Sequence, residues 1–559
     1  MFRIIHIAAV FRIAFTIMII FVTMYFVTNI IIALKMILGL SQNQKGNRMQ
    51  KIIRLLFGRV VLVGAAIFIQ AVALVLIIWK FNDYFVHFYI VSTLLSVLAV
   101  IGILNGKSNP AYKIAWIIPI LVFPIFGGLF YLMFGGHRTS KRNKLKMREI
   151  TMIMENSLGQ DIEIIKHLQQ ASKLAANQAK YIEMFSDCPV YTNTATEFLT
   201  PGEKLFEHMI QELKKAEHYI FLEYFIVEEG IMWNTILDIL VEKVKKGVDV
   251  RVIYDDVGCL FTLPVGYDKK LENMGIKCCV FNPFVPILSI RLNNRDHRKI
   301  AVIDGLTAYT GGINLADEYI NTYEKHGYWK DAAIAIKGDA VWSLTVMFLS
   351  IWNYLRKTDE DYNKFKPSLQ NFELLESSGF VQPFNDSPLD DEGVSETVYL
   401  NLINQAESYV YINTPYLIID YRMMGSLCMA AKRGVDVRII TPHIPDKWYV
   451  HAVSRSNYEE LIESGVSIYE YLPGFVHGKT FVVDDVIAVV GTINLDYRSL
   501  YLHFECGVWM YKTLSVMKVK EDTLNTLKSC QKITVDYCDN IKWHKKLGRS
   551  ILKIFAPLM

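Results

Sequence analysis

Apolar positions follow two different patterns along this chain. Before residue 136 they form four nearly continuous runs, residues 14–34, 60–79, 84–104 and 116–134. Each is close to the ~20 residues that a helix needs to cross a bilayer, which predicts an all-helical transmembrane region over residues 1–136. The first run is too long, and too poor in a small-residue cleavage site, for a removable leader, and is expected to stay as an anchor. Pro119 and Pro124 make a re-entrant hairpin the alternative to a span in the fourth run. Past residue 200 short strand-like runs alternate with amphipathic helices: helix at 203–215, strand at 218–227, helix at 233–246, strand at 248–254. The second half repeats the first, AESYVYINTPYLI echoing AEHYIFLEYFIVE and RGVDVRII echoing KGVDVRVI. Strand, helix and strand in this order predict an α/β protein of two duplicated halves, each with a mostly parallel sheet covered by helices.

Breaks in this pattern set the expected boundaries. A basic, helical connector occupies 137–199, the first half-domain 200–356, a linker interrupted by Pro367, Pro383 and Pro388 residues 357–395, and the second half-domain 396–541. In the basic tail, 542–559, Lys542, Lys545, Lys546, Arg549 and Lys553 interleave with Leu547, Ile551, Leu552, Ile554 and Phe555. Such a helix either lies on an anionic membrane surface or packs as a terminal core helix. After the fourth run Arg138, Lys141, Arg142, Lys144, Lys146 and Arg148 form a cluster expected in the cytoplasm, with everything that follows it. Lys45, Arg48, Lys51, Arg54 and Arg59 make the loop between the first two runs basic as well, and four spans would put the two clusters on opposite sides.

Composition narrows the function classes. A chain of 559 residues that is 52% hydrophobic has room for several domains and is too apolar for an ordinary soluble protein. A net charge of +4, with no dominant basic block, gives no footprint for nucleic acid. The eight cysteines are scattered, with one adjacent pair, Cys278 and Cys279, and no Cys-x-x-Cys, so they read as reduced thiols and no metal site is expected.

The chemistry is concentrated in one stretch and its copy. Residues 297–314 read HRKIAVIDGLTAYTGGIN and residues 477–494 read HGKTFVVDDVIAVVGTIN, a constant offset of 180. On a strand His297 and Lys299 share a face, as do His477 and Lys479; Asp304 and Asp484 close the strands, and Asn314 and Asn494 follow small-residue turns. Neutral His supplies a nucleophile or an acid and base, and Lys and Asn donate to anionic oxygens, so no cofactor is called for. Two such sets in register predict one site divided between two halves.

At these residues the chain resembles the phospholipase D superfamily, whose signature is His, any residue, Lys, four residues, Asp, then a small-residue turn ending in Asn. Its flanks are similar to those of bacterial cardiolipin synthases: GKSNPAYKIAWIIPILVFPIFGGLFYLMFG, LEYFI, GFVQPFNDSPLDDE, INTPYLI and FEC. The resemblance implies a phosphatidyltransferase of the bacterial cell membrane, multi-pass and membrane-embedded, with cytoplasmic catalytic domains. Two phosphatidylglycerol molecules would give cardiolipin and glycerol through a phosphohistidine; the alternatives are a hydrolase that releases phosphatidic acid and a non-catalytic membrane scaffold. It further implies His297 as nucleophile and His477 as acid and then base, with Lys299, Lys479, Asn314 and Asn494 on the phosphoryl oxygens, and Asp304 and Asp484 as the remaining members of the catalytic set. Glu505 matches a family Phe-Glu position and is expected to orient the second-half histidine. Its counterpart at the repeat offset is Lys325, so Asp331, in a Trp-x-Asp pattern, stands in for the first half. Glu223 completes the expected substrate-binding set. The residues leave open which histidine reacts first, the acceptor alcohol and the oligomeric state.

Overall fold

The computed structural model describes residues 85–106, 109–122, 151–284, 294–367, 377–390 and 392–558, together with Val72 and Tyr131. One compact unit, containing residues 137–283 and 291–559, carries both halves of the duplication. Each half is built on one sheet. The first has the order β1 (Thr194–Leu199), β9 (Ala333–Gly338), β7 (Thr307–Gly311), β6 (Lys299–Ile303), β2 (Tyr219–Tyr224), β3 (Asp249–Asp255), β4 (Lys277–Phe281). The second has β10 (Phe380–Asp386), β17 (His503–Tyr511), β16 (Ile487–Gly491), β15 (Thr480–Val483), β11 (Tyr409–Asn413), β12 (Asp436–Pro442), β13 (Ser467–Tyr471), β18 (Cys530–Lys532). Two short strands, β5 (Arg295–Asp296) and β14 (Gly474–Val476), leave their own half and add to the other: β5 runs parallel to β17, and β14 parallel to β8 (Tyr328–Lys330).

The sheets are mixed, which corrects the expectation of mostly parallel ones. Only β2–β3–β4 and β11–β12–β13 run parallel within the sheets, joined by helices such as Ile231–Lys245 and Tyr421–Lys432. The motif strands cannot do so. β6 and β7 pair antiparallel with Ile303 opposite Thr307, and β15 and β16 with Val483 opposite Ile487, so three residues turn the chain in each. A connection that short permits only a hairpin, because a parallel return needs a crossover of a dozen residues or more. Alternation and strand composition mark a strand without giving its direction.

Asp304 and Asp484 make these turns possible. Both have positive φ, +54° and +50°, a region that Asp tolerates better than most residues. The Asp304 carboxylate accepts from the backbone N–H groups of Glu217, His218 and Tyr219 at 2.7–2.8 Å, and Asp484 accepts from Glu407, Ser408 and Tyr409 at 2.7–2.9 Å. Each carboxylate thus ties the hairpin to the start of the neighbouring central strand. Asp304→Ala would orphan three donors, and we expect it to cost about 3 kcal/mol of stability, Asp304→Asn distinctly less. Urea unfolding midpoints of the two variants check this; equal midpoints for Ala and wild type would remove the tie from the account.

Helix Val341–Arg356 is buried from Val341 to Asn353 and lies in a core that takes residues from both halves, while helices Gly202–Lys215 and Ile231–Lys245 cover the other face of the first sheet. With helices on their faces the motif strands are buried along their whole length, as KIAVI and TFVV require. Residues 380–386 of the expected linker form β10 at the edge of the second sheet, where Pro383 is tolerated and Asp386 stands opposite Glu505.

Among the described residues no helix is long and apolar enough to cross a membrane. This overturns the expected four spans, and with them the membrane-embedded and multi-pass readings. Of the run at 116–134, the described residues are those of helix Pro110–Val122, with Pro119 inside it, and Tyr131. The run at 84–104 forms helix Phe85–Asn105, where His87, Ser92, Thr93 and Ser96 interrupt the apolar residues. The runs at 14–34 and 60–79, apart from Val72, and the basic clusters at 45–59 and 138–148 lie outside the described residues.

Candidate active site

The borrowed strands carry the two histidines to one place. His297 follows β5, and its N–H donates to the Phe504 carbonyl of the other half at 3.0 Å; His477 follows β14, and its N–H donates to the Lys330 carbonyl at 2.7 Å. Each motif is therefore anchored on the opposite half before its own sheet begins.

The carboxylates cross in the same way. His297 Nδ1 lies 2.9 and 3.0 Å from the Glu505 oxygens, and His477 Nδ1 lies 2.6 Å from Asp331 Oδ2. A carboxylate accepts, so each Nδ1 carries the proton and each Nε2 keeps its lone pair. The expected pairing was the reverse, Glu505 with the second-half histidine and Asp331 with the first. The equivalence was hidden by spacing: Asp331 follows Asn314 by 17 residues and Glu505 follows Asn494 by 11, so the constant offset points to Lys325. Lys325 instead pairs with Glu318 at 2.8 Å.

The turns fit this exchange. A side chain at Gly312 would place Cβ 2.1 Å from the Asp331 carboxylate, so only glycine allows that approach. At the equivalent position Thr492 donates its hydroxyl to Glu505 and also bonds Cys506, holding the carboxylate from behind.

Lys299 and Lys479 each donate to the carbonyl of their own motif histidine. Lys479 Nζ is also 2.9 Å from both ring nitrogens of His477, whereas among the described residues no group donates to Nε2 of His297. Both lysines are buried, and each ammonium interacts electrostatically with both Glu505 and Asp331, so the two motifs converge. Burial pushes Lys299 down to about 8 and Lys479 to about 7, the carboxylates opposing it.

The remaining expected residues divide. Asn314 accepts from the Ile226 N–H at 3.0 Å and donates to Tyr319 at 2.7 Å, and the Tyr319 ring stands edge-on to His477. Asn494 is buried, and its amide oxygen has no partner among the described residues. Glu223 is buried against Arg298 at 2.5 Å, and burial raises its pKa well above the usual carboxylate range. Asp304 and Asp484 sit beyond the far ends of β6 and β15, about 17 Å of strand from the histidine end.

Sequence reading passed over His503. Its ring centroid is 5.6 Å from that of His297, and its Nδ1 is 3.8 Å from Glu505. It occupies the place that Trp329 takes two residues before Asp331, the only signal being its position two residues before Glu505. His297, His503 and Glu505 offer ligand atoms within 4.8 Å of one another, the geometry a metal ion could use, although Nδ1 of His297 and Glu505 are already bonded to each other.

Burial is the largest influence on both histidines and holds them neutral, His297 down to about 3 and His477 to about 4, against the raising effect of their carboxylates. The same pairing holds Asp331 and Glu505 below the usual range. Groups depressed in the folded chain bind fewer protons than the unfolded chain as pH falls, so stability is full above the unfolded His value near 6.5 and is lost towards acid. From the two histidines alone we expect the unfolding free energy to fall by up to about 2.7 kcal/mol per pH unit from about pH 6 to about pH 4, with the carboxylates adding below that. Denaturant titrations at pH 7, 6 and 5 measure the slope, and a flat profile would contradict neutral burial.

Comparison with known proteins agrees with this geometry. The model of the cardiolipin synthase, PLD-like domain matches twice, at residues 209–339 and 399–527, and that of the phospholipase D-nuclease N-terminal region matches residues 94–136. A cardiolipin synthase of Alkalihalophilus pseudofirmus is 35% identical over 84% of this chain and 93% of its own. An uncharacterized protein of Streptococcus mutans is 46% identical over 82% of this chain and 99% of its own. The crystal structure of the phosphatidylserine synthase of Haemophilus influenzae, at 16% identity, covers 68% of this chain and 98% of its own with a TM-score of 0.50, a likeness of fold. Two motif copies, two matching half-domains and relatives aligned over most of their length meet in one conclusion: the chain belongs to the cardiolipin synthase family of the phospholipase D superfamily.

Proposed function

We propose that the protein joins two phosphatidylglycerol molecules into cardiolipin and glycerol through a phosphohistidine. The observation that carries this is the pair of neutral histidines, each oriented through Nδ1 by a carboxylate of the opposite half, with a buried lysine beside each. His297, whose Nε2 has no donor among the described residues, attacks phosphorus and forms the N–P bond as the P–O bond to glycerol breaks. His477 gives that alkoxide its proton and then takes one from the acceptor lipid's hydroxyl, which attacks phosphorus and restores free His297.

The electrostatics support a phosphodiester as the occupant. Burial has drawn Lys299 and Lys479 down to about 8 and about 7, and an anion between them restores their charge and raises His477 towards the protonated form an acid needs. Lys299, Lys479 and the amide of Asn494 would meet the non-bridging oxygens, with Asn314 holding the Tyr319 side of the pocket. These groups supply the positive charge that a metal would otherwise bring.

Purified protein with phosphatidylglycerol vesicles and chelator is expected to give cardiolipin and glycerol in equal amounts. Phosphatidic acid as main product would establish the hydrolase reading, no turnover the scaffold, and loss on chelation would refute the metal-independent route.

A further inference from the structure

The C-terminal helix, Trp543–Ile554, is held in place yet has no buried residue. It packs on helix Trp448–Ser456, Lys546 pairs with Glu459 at 3.2 Å, and the turn after it buries Ala556 beside Val450 and Val453, with Leu552 packed against them. That fixes the inward face. Trp543, Leu547, Ile551 and Phe555, each four residues after the last, form an apolar stripe on another face and are 76%, 52%, 50% and 39% exposed. Trp448, on the helix beneath, is 71% exposed.

Charge identifies what covers the stripe. From Lys542 to Met559 there is no acidic residue, and Lys542, Lys545 and Lys553 have no carboxylate partner among the described residues. Long cationic side chains beside an exposed apolar stripe can reach a plane of phosphates while the stripe enters the acyl boundary, with tryptophan at the level of the head groups. We propose that this helix, with Trp448, is a docking surface that lies flat on an anionic lipid bilayer. It is an interfacial contact and crosses nothing, and it stands independently of the chemistry assigned to the histidines.

The test places an environment-sensitive fluorophore on the exposed site of Ile551→Cys in the full chain, with the labelled wild type as blank for the native cysteines. Phosphatidylglycerol vesicles should shift the emission to the blue, phosphatidylcholine vesicles far less. At about 1 kcal/mol per cation near an anionic surface, Lys542→Gln, Lys545→Gln and Lys553→Gln together should raise the lipid needed for half the shift about 100-fold. A probe that stays in a water-like environment on phosphatidylglycerol overturns the proposal, even if another segment binds the vesicle. So does a shift that grows with protein concentration without lipid, which would assign the stripe to a second copy of the chain. A shift equal on both lipids and indifferent to the three substitutions also overturns it.

Discussion

Under the proposed route, His297→Asn and His477→Asn are each expected to lower phosphatidyl transfer by about 10⁴-fold or more, for different reasons that one substrate change separates. Asn is the informative replacement because its amide can still donate to Glu505 or Asp331, so the buried carboxylate is not left alone. On the proposed route, without His297 no atom remains to form the bond to phosphorus. Without His477 the nucleophile is intact, and what is missing is the proton for glycerol. A phosphatidyl donor with a nitrophenol head group departs without that proton. On it His477→Asn should release nitrophenol in a single burst and keep the phosphatidyl label as an acid-labile adduct, because the base for the second step is also gone. His297→Asn should do neither. Substantial cardiolipin from either variant would mean two independent sites, and a burst in the His297 variant would reverse the two roles.

The duplication made much of this legible. A repeat that holds His, Lys, Asp and Asn in register across 180 residues marks both motif hairpins, and the echoes around Leu222 and Ile412 mark the central strands. Direction was not legible, since side-chain alternation is identical in parallel and antiparallel strands, and here the three-residue turns at Asp304 and Asp484 decide it. Those two aspartates belong to the signature, yet the structure uses them on backbone amides at the turn; a conformational demand and a chemical one leave the same letter in a motif. Apolar runs in 84–134 looked long enough to span because hydropathy counts apolar residues and not helix, and among the described residues no helix is both long and apolar enough. The exchange of β5 and β14 between halves is a long-range pairing with no local pattern.

That exchange yields the sharpest consequence of the fold. Asp331→Asn should impair the step that needs His477, and Glu505→Gln the step that needs His297, each by about 10²- to 10⁴-fold, although each carboxylate comes from the other half. An amide in place of the carboxylate can present its N–H₂ to Nδ1, which favours the tautomer with the proton on Nε2, the wrong nitrogen for attack in His297 and an uncharged one for proton donation in His477. The nitrophenol donor again reads the assignment: Asp331→Asn should keep a near-normal burst and lose the later step, while Glu505→Gln should lose the burst. Double-mutant cycles give the same answer thermodynamically. Glu505→Gln should cost little more once His297 is Asn, and nearly its full effect in a background altered only at Asp331. Within-half coupling, Asp331 with His297 and Glu505 with His477, would contradict the crossed geometry. If the cross-half pairs govern the chemistry, neither half alone can assemble an oriented histidine. Activity from separately expressed halves should therefore appear only on mixing His297 of one with Glu505 of the other, and a mixture in which one half carries Glu505→Gln should stay silent at the first step whatever the concentration.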